Sequence, residues 1–174
     1  MNNDFFHRFR VTSFFLGLNL IVFLVLFLGI ISPELVVYYP GEFGLRTFTW
    51  SFVHTELTHL IFNLIAAMQM GMILESNLGS RRLIFVTILI WLLVSVSAYM
   101  WIDYPLVGFS GVLMGWVSFG LLSLWKHKIF RQALGVWLGL NIIIGLLPGI
   151  SFLGHVLGMI AGAVVWGVLK LLKK

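Results

Sequence analysis

The sequence predicts an all-α polytopic membrane protein, a bundle of six transmembrane helices with a short, recessed fourth helix. Three observations carry this. Of 174 residues, 60% are hydrophobic and 10% charged, where a soluble domain carries about 25% charged residues. Apolar runs interrupted by charges and turn residues divide the chain into six segments of spanning character. The basic residues fall almost entirely on one side of those segments.

The first run, Val11–Ile31, follows Arg8 and Arg10 and could pass for a secretory signal. It is about 21 residues long, beyond the usual apolar core of roughly 7–15, and no small-x-small cleavage site follows, so it reads as a retained helix. The second runs roughly over Glu56–Ser76, behind Thr55 as its expected N-cap. The third is Leu83–Trp101 and the fourth Ser110–Trp125. The fifth runs from about Gln132 to Leu147 and stops at Pro148-Gly149; the sixth is Phe152–Leu172. The ten residues ahead of the first helix are too few for a soluble domain. Residues 1–174 therefore read as one membrane domain with a short N-terminal tail, without internal repeat.

Placing the N-terminus inside puts Arg8, Arg10, Arg81, Arg82, Lys126, Lys128, Arg131, Lys170, Lys173 and Lys174 on the inner side, and Arg46 alone outside. That asymmetry is the positive-inside pattern, so both termini are expected in the cytoplasm. The segment Ser32–His54, the turn at Asp103-Tyr104-Pro105 and the turn Pro148–Ser151 then face outward. The formal charge of +5 is a topology signal, not the footprint of a nucleic-acid binder. With no cysteine, thiolate catalysis, thiolate metal sites and disulfides are excluded.

Polar groups inside spans are costly and mark function more often than not. The informative ones are His59 and Asn63 in the second helix, Ser110 opening the fourth, and His155 near the start of the sixth. Inner charges serve as depth markers. At about 1.5 Å per residue, Ser110 lies roughly 24 Å above Lys126, His155 about 22 Å above Lys170, His59 about 24 Å and Asn63 about 18 Å above Glu75. In a hydrocarbon core about 30 Å thick, these four side chains share one layer, several ångströms below the outer surface. The fourth helix reaches only about 24 Å, and Lys126 pins its inner end. Residues Ile102–Phe109 must then dip into the protein, where irregular backbone is tolerated only inside protein or beside water. A wet cavity opening outward is expected. Gly111 and Gly115 on the fourth helix, and Gly158 and Gly162 on the sixth, form small-residue stripes that allow close approach.

Such a layer can do nucleophilic chemistry. A serine hydroxyl needs a base, and neutral imidazole suits the task, so Ser110 and His155 make a candidate dyad. No acidic residue lies at this depth, so the imidazole is expected to be oriented by packing. His59 and Asn63, one helical turn apart, can offer donors to an oxyanion, and the Ser110 backbone N–H is a third. Each residue taken alone is explained by packing or a local hydrogen bond; the shared depth favours a site. His54 and His59, five apart and without an acidic third ligand, do not suggest zinc.

These residues resemble the rhomboid family of intramembrane serine proteases. His54–Asn63, HTELTHLIFN, has its His-x4-His-x3-Asn pattern, and GFSG (Gly108–Gly111) its nucleophile motif. GHVLGMIAG (Gly154–Gly162) resembles its last-helix motif, and LESNLGS (Leu74–Ser80) a segment at the inner end of its second helix. The resemblance implies cleavage of other membrane proteins within or near their transmembrane segments, with Ser110 as nucleophile, His155 as base, His59 and Asn63 in the oxyanion hole, and His54 in support. It implies no metal or organic cofactor, and substrates that enter beside the fifth helix. Two positions depart from the family. Its Trp-Arg loop motif is here Leu45-Arg46, and the aromatic four residues after the serine is Met114, a softer surface for the histidine.

The expected function is an intramembrane serine endopeptidase of a plasma (inner) membrane, its site opening outward, its partners transmembrane substrates and the bilayer. Oligomeric state is left open. The alternative is a catalytically silent member that binds membrane proteins as a chaperone or adaptor. A channel or transporter is disfavoured, because the spans hold no paired charge and no evident repeat.

Overall fold

The computed structural model describes residues 4–146 and 149–172. Among them lie α1 (Asp4–Arg8), α2 (Arg10–Phe27), α3 (Arg46–Thr49), α4 (Leu57–Leu78), α5 (Ser80–Trp101), α6 (Ser110–Ser123), α7 (Lys128–Ile144) and α8 (Phe152–Leu171). Helices α2, α4, α5 and α8 are long and apolar enough to cross a membrane. With 14 and 17 residues, α6 and α7 reach only about 21 and 26 Å. The protein is an all-α, multi-pass membrane bundle, and its six long helices occupy the six predicted segments.

The helix ends differ from the sequence expectation for local reasons. α2 stops at Phe27, because Gly29 turns the chain at φ +67°. Thr55 is not the cap of α4: Glu56 takes that place, in extended conformation and with no side-chain cap. Gly79, at φ +76°, closes α4 and opens α5 at once, so Ser80–Arg82 are helical and not linker. α7 begins at Lys128, not Gln132, because Lys and Arg are good helix formers that an apolar-run criterion leaves out. Its expected stop at Leu147-Pro148 lies outside the described residues; its last helical residue among those described is Ile144. The segment after α2, expected to face outward, is structured, with 3-10 turns at Pro33–Leu35 and Trp50–Phe52 around α3.

α6 is the centre of the bundle. Ten of its residues, Gly111 to Gly120, are buried, and α4, α5, α7 and α8 all pack on it. Its closest neighbour is α8. A Cβ on Gly158 would collide with the Gly111 carbonyl, and one on Gly162 with the Gly115 carbonyl. Glycine here lets two backbones touch. Ser118 Oγ adds a bond to the Met159 carbonyl at 2.7 Å, and Trp116 Nε1 donates to Thr87 Oγ1 at 2.9 Å. At the far end of α4, buried Glu75 accepts from the backbone N–H groups of Val11 and Thr12 (3.0 Å each), from Thr12 Oγ1 (2.7 Å) and from Ser80 Oγ (2.6 Å). One carboxylate thus satisfies the orphan amides that open α2 and ties that helix to α4 and α5.

Residues 102–109 run irregularly from α5 to α6, yet Ile102, Leu106 and Phe109 are buried. Several backbone polar groups of this segment are satisfied within the protein, which lets irregular backbone persist among membrane helices. Tyr38 and Leu106 exchange backbone bonds at 3.3 and 3.2 Å. The Tyr38 hydroxyl donates to the Ile102 carbonyl at 3.1 Å, and Gly108 N–H to the Trp50 carbonyl at 3.0 Å. This frame fixes where α6 begins.

Candidate active site

Ser110 occupies the first position of α6, just after Phe109, where backbone N–H groups lack intrahelical partners. It is half-buried. The preceding Gly108 has φ +107°, in the region that favours glycine. A side chain there would also meet the imidazole of His59, whose Nε2 lies 2.7 Å from the Cβ position. Gly108 therefore serves twice: it turns the chain into α6 and seats His59 against the serine loop.

His155 lies in the first turn of α8, 4% exposed. The Cβ position of Gly111 sits 3.4 Å from the Gly154 carbonyl, so Ser110 and His155 each adjoin a residue of this close backbone contact. No hydrogen bond links the two side chains among the described residues. His155 Nδ1 instead lies 3.4 Å from the main-chain carbonyl of Asn141 on α7. Gly145, just past the end of α7, leaves room for the ring, its Cβ position being 3.2 Å from Nδ1. A protonated Nδ1 facing a carbonyl leaves Nε2 with a free lone pair.

Asn63 is buried, and its amide donates to the His59 carbonyl at 2.9 Å, while its Oδ1 has no partner among the described residues. One amide hydrogen is thereby engaged within α4, and the second stays available. The ring of His54 meets that of His59 edge to face, centroids 5.0 Å apart. His54 precedes α4, is 1% exposed, and neither of its nitrogens has a partner among the described residues. Burial, helped by nearby His59, lowers its pKa to about 4, so its imidazole is neutral at pH 7. Met114 is buried, its Cβ 3.1 Å from the Cβ position of Gly158, one turn beyond His155. Arg46 pairs with Glu42 at 2.7 Å at the start of α3, beside exposed Leu45.

Sequence reasoning missed three contributors. The Asn141 and Trp50 carbonyls are main-chain groups with no residue signature. Ser151 did have one, as a serine directly ahead of an apolar run. Its Oγ caps α8 by accepting from Gly154 N–H at 2.9 Å, and it also bonds the hydroxyl of Tyr104 at 2.9 Å. That contact joins the segment leading to Ser110 with the helix bearing His155. Two grooves of the described residues lie at the opposite end of α6 from Ser110.

A helical membrane bundle whose short central helix opens on a serine, packed glycine to glycine against a helix with a histidine in its first turn, defines a polytopic membrane protein with polar side chains between its helices. A family model described as the rhomboid domain matches residues 42–171, from the segment ahead of α3 to the end of α8. The chain belongs to the rhomboid family. A rhomboid-named protein of Acanthamoeba polyphaga mimivirus is 32% identical over 125 residues, 66% of this chain and 68% of that protein. Rhomboid-like protein 15 of Arabidopsis thaliana is 29% identical over 139 residues, 67% of this chain and 34% of its own length. Rhomboid-related protein 4 of Homo sapiens is 32% identical over 133 residues, 63% and 41% respectively. The chain thus spans about two thirds of the first relative and well under half of the other two.

Proposed function

We propose that the protein is an intramembrane serine endopeptidase that cleaves transmembrane segments of other membrane proteins, working as a single membrane domain with cytoplasmic termini and an outward-facing site in a plasma (inner) membrane. The observation that supports the reading is the close approach of α6 and α8 at Gly111 and Gly154, the chain neighbours of Ser110 and His155. In the proposed reaction, Ser110 Oγ attacks the substrate carbonyl as its proton passes to His155 Nε2. The Asn141 carbonyl holds Nδ1–H and fixes the tautomer, the task a carboxylate has in a triad. The tetrahedral oxyanion takes donors from the Ser110 N–H, His59 and Asn63. Collapse returns the proton from Nε2 to the leaving amine and leaves an acyl-serine. Water, deprotonated by the same imidazole, then hydrolyses the ester.

A second reading, a silent binder of membrane proteins, is favoured by the lack of a hydrogen bond from Ser110 to His155. Two measurements separate them. A serine-reactive fluorophosphonate should label the purified protein on Ser110, and the label should disappear in His155→Ala. In liposomes, cleavage of a model transmembrane substrate should fall at least about 10³-fold in Ser110→Ala. Undiminished cleavage by that variant overturns the protease reading; absence of both label and cleavage in the folded wild type favours the binder.

A further inference from the structure

At the end of the bundle opposite Ser110, the end of α6, the link Trp125–His127 that leads to α7 and the end of α8 line a groove of about 390 Å³. Lys126, His127, Lys170 and Ser123 supply donors to it, and Trp125 and Trp166 form apolar walls. We propose that this groove binds the phosphate headgroup of an anionic phospholipid, with the acyl chains running up the bundle beside Trp166.

The charge around it has no internal answer. After Asp103 the chain contains no Asp or Glu, so α6, α8 and the link that line the groove, and α7 beyond that link, are devoid of acid. The ion pair seen among the described residues, Arg46–Glu42, lies at the start of α3. The first turn of α7 compounds the imbalance. It carries Lys128 and Arg131 and no acidic residue, at the helix end where the macrodipole is already positive. An anion there relieves repulsion that no group of the groove's own elements can.

The cations are also held in place. Lys170 Nζ sits 4.6 Å from the centre of the Trp166 ring, and the Arg131 guanidinium 5.2 Å from that of Trp125. Arg131 also donates to the Trp125 carbonyl at 3.3 Å. Tryptophan and basic side chains together suit the headgroup level of a bilayer, apolar on one side and wet on the other. Basic pockets between membrane helices bind anionic headgroups. A zwitterionic headgroup brings its own cation and gains less here, so the groove should distinguish phosphatidylglycerol from phosphatidylcholine.

The test is lipid retention by the full chain. The protein is stripped in detergent, offered equal amounts of the two lipids, repurified, and its bound lipid quantified by mass spectrometry. Phosphatidylglycerol should be enriched at least fivefold. The enrichment should fall below twofold in K126Q/K170Q and persist in K126R/K170R and in R81Q/R82Q, which removes charge from the start of α5. Lys126 and Lys170 are exposed, and unchanged helix content by circular dichroism checks that each variant is folded. The proposal is overturned by equal retention of both lipids, or by an equal loss in R81Q/R82Q, which would make the effect diffuse surface charge. Displacement of the lipid by millimolar glycerol 3-phosphate would assign the groove to a soluble phosphate ester and overturn it as well.

Discussion

Two glycines do different work around the candidate site, and each implies a different cost of substitution. Gly108 is needed for its φ and for the space that His59 fills, whereas Gly158 is needed because the Gly111 carbonyl occupies the place of its Cβ. A backbone cannot swing aside like a side chain, so Gly158→Ala must push α8 away from α6. Overpacking of this kind costs about 1–3 kcal/mol. The variant should melt several degrees lower and lose activity even if it folds, because α8 carries His155. Gly167, with nothing near its Cβ position, is the matched control and should tolerate alanine. His54 yields a prediction in pH. Its pKa falls from 6.5 to about 4 on burial, so the folded state favours the neutral ring. The stabilisation is complete above pH 6.5 and is lost as the pH drops through about 4, by up to about 3 kcal/mol. Thermal unfolding at pH 7 and pH 5 should show a smaller loss in His54→Gln than in the wild type; equal losses would remove His54 as the cause.

Among the long helices, α6 and α7 are opposites in how they are held. α6 buries ten consecutive residues; α7 buries only Leu134. Stability is distributed accordingly. In hydrogen exchange followed by mass spectrometry, α7 amides should exchange well before those of α6, and slow exchange across all of α7 would contradict the packing. The consequence reaches the site, because α7 supplies the Asn141 carbonyl facing His155; an outward movement of α7 would release the imidazole as it opens the bundle. How far the sequence foretells these elements depends on the kind of signal. Long apolar runs and Gly-x3-Gly spacings reveal the helices and the α6–α8 contact, because burial in lipid and close packing both constrain side-chain type. The His-x4-His-x3-Asn and Gly-x-Ser-Gly spacings make His59, Asn63 and Ser110 legible. The start of α7 was not, since Lys128–Arg131 are helical without being apolar. Nor were the bonds of Gly108 to Trp50 and of His155 to Asn141, because carbonyls carry no residue identity. Glu75 stood out within LESNLGS, yet its role as the cap of α2, 64 residues earlier in the chain, emerges only when the helices are brought together.

For the molecule as a whole, the distribution of charge predicts an orientation. Ten of the eleven Lys and Arg residues belong to one end of the bundle by sequence, with Arg46 the exception. Segments with such a bias retain their basic end in the cytoplasm, and the proposed lipid groove lies at that end. Ser110 opens α6 at the other. With the basic end in the cytoplasm, a short α6 followed by Lys126 at its inner end would leave its serine below the outer surface. The chain lacks cysteine, so the arrangement can be read with single-cysteine variants and no background. Asp103 and Lys128 are both exposed and lie at opposite ends of α6 and its flanking segments. In intact cells a membrane-impermeant maleimide should label Asp103→Cys promptly and Lys128→Cys only after permeabilisation. Labelling in the reverse order would invert the topology, turn the site to the cytoplasm and remove outward-facing segments from its range of substrates. Labelling of both before permeabilisation would mean a mixed orientation, and the charge bias would then not be enough to orient this bundle.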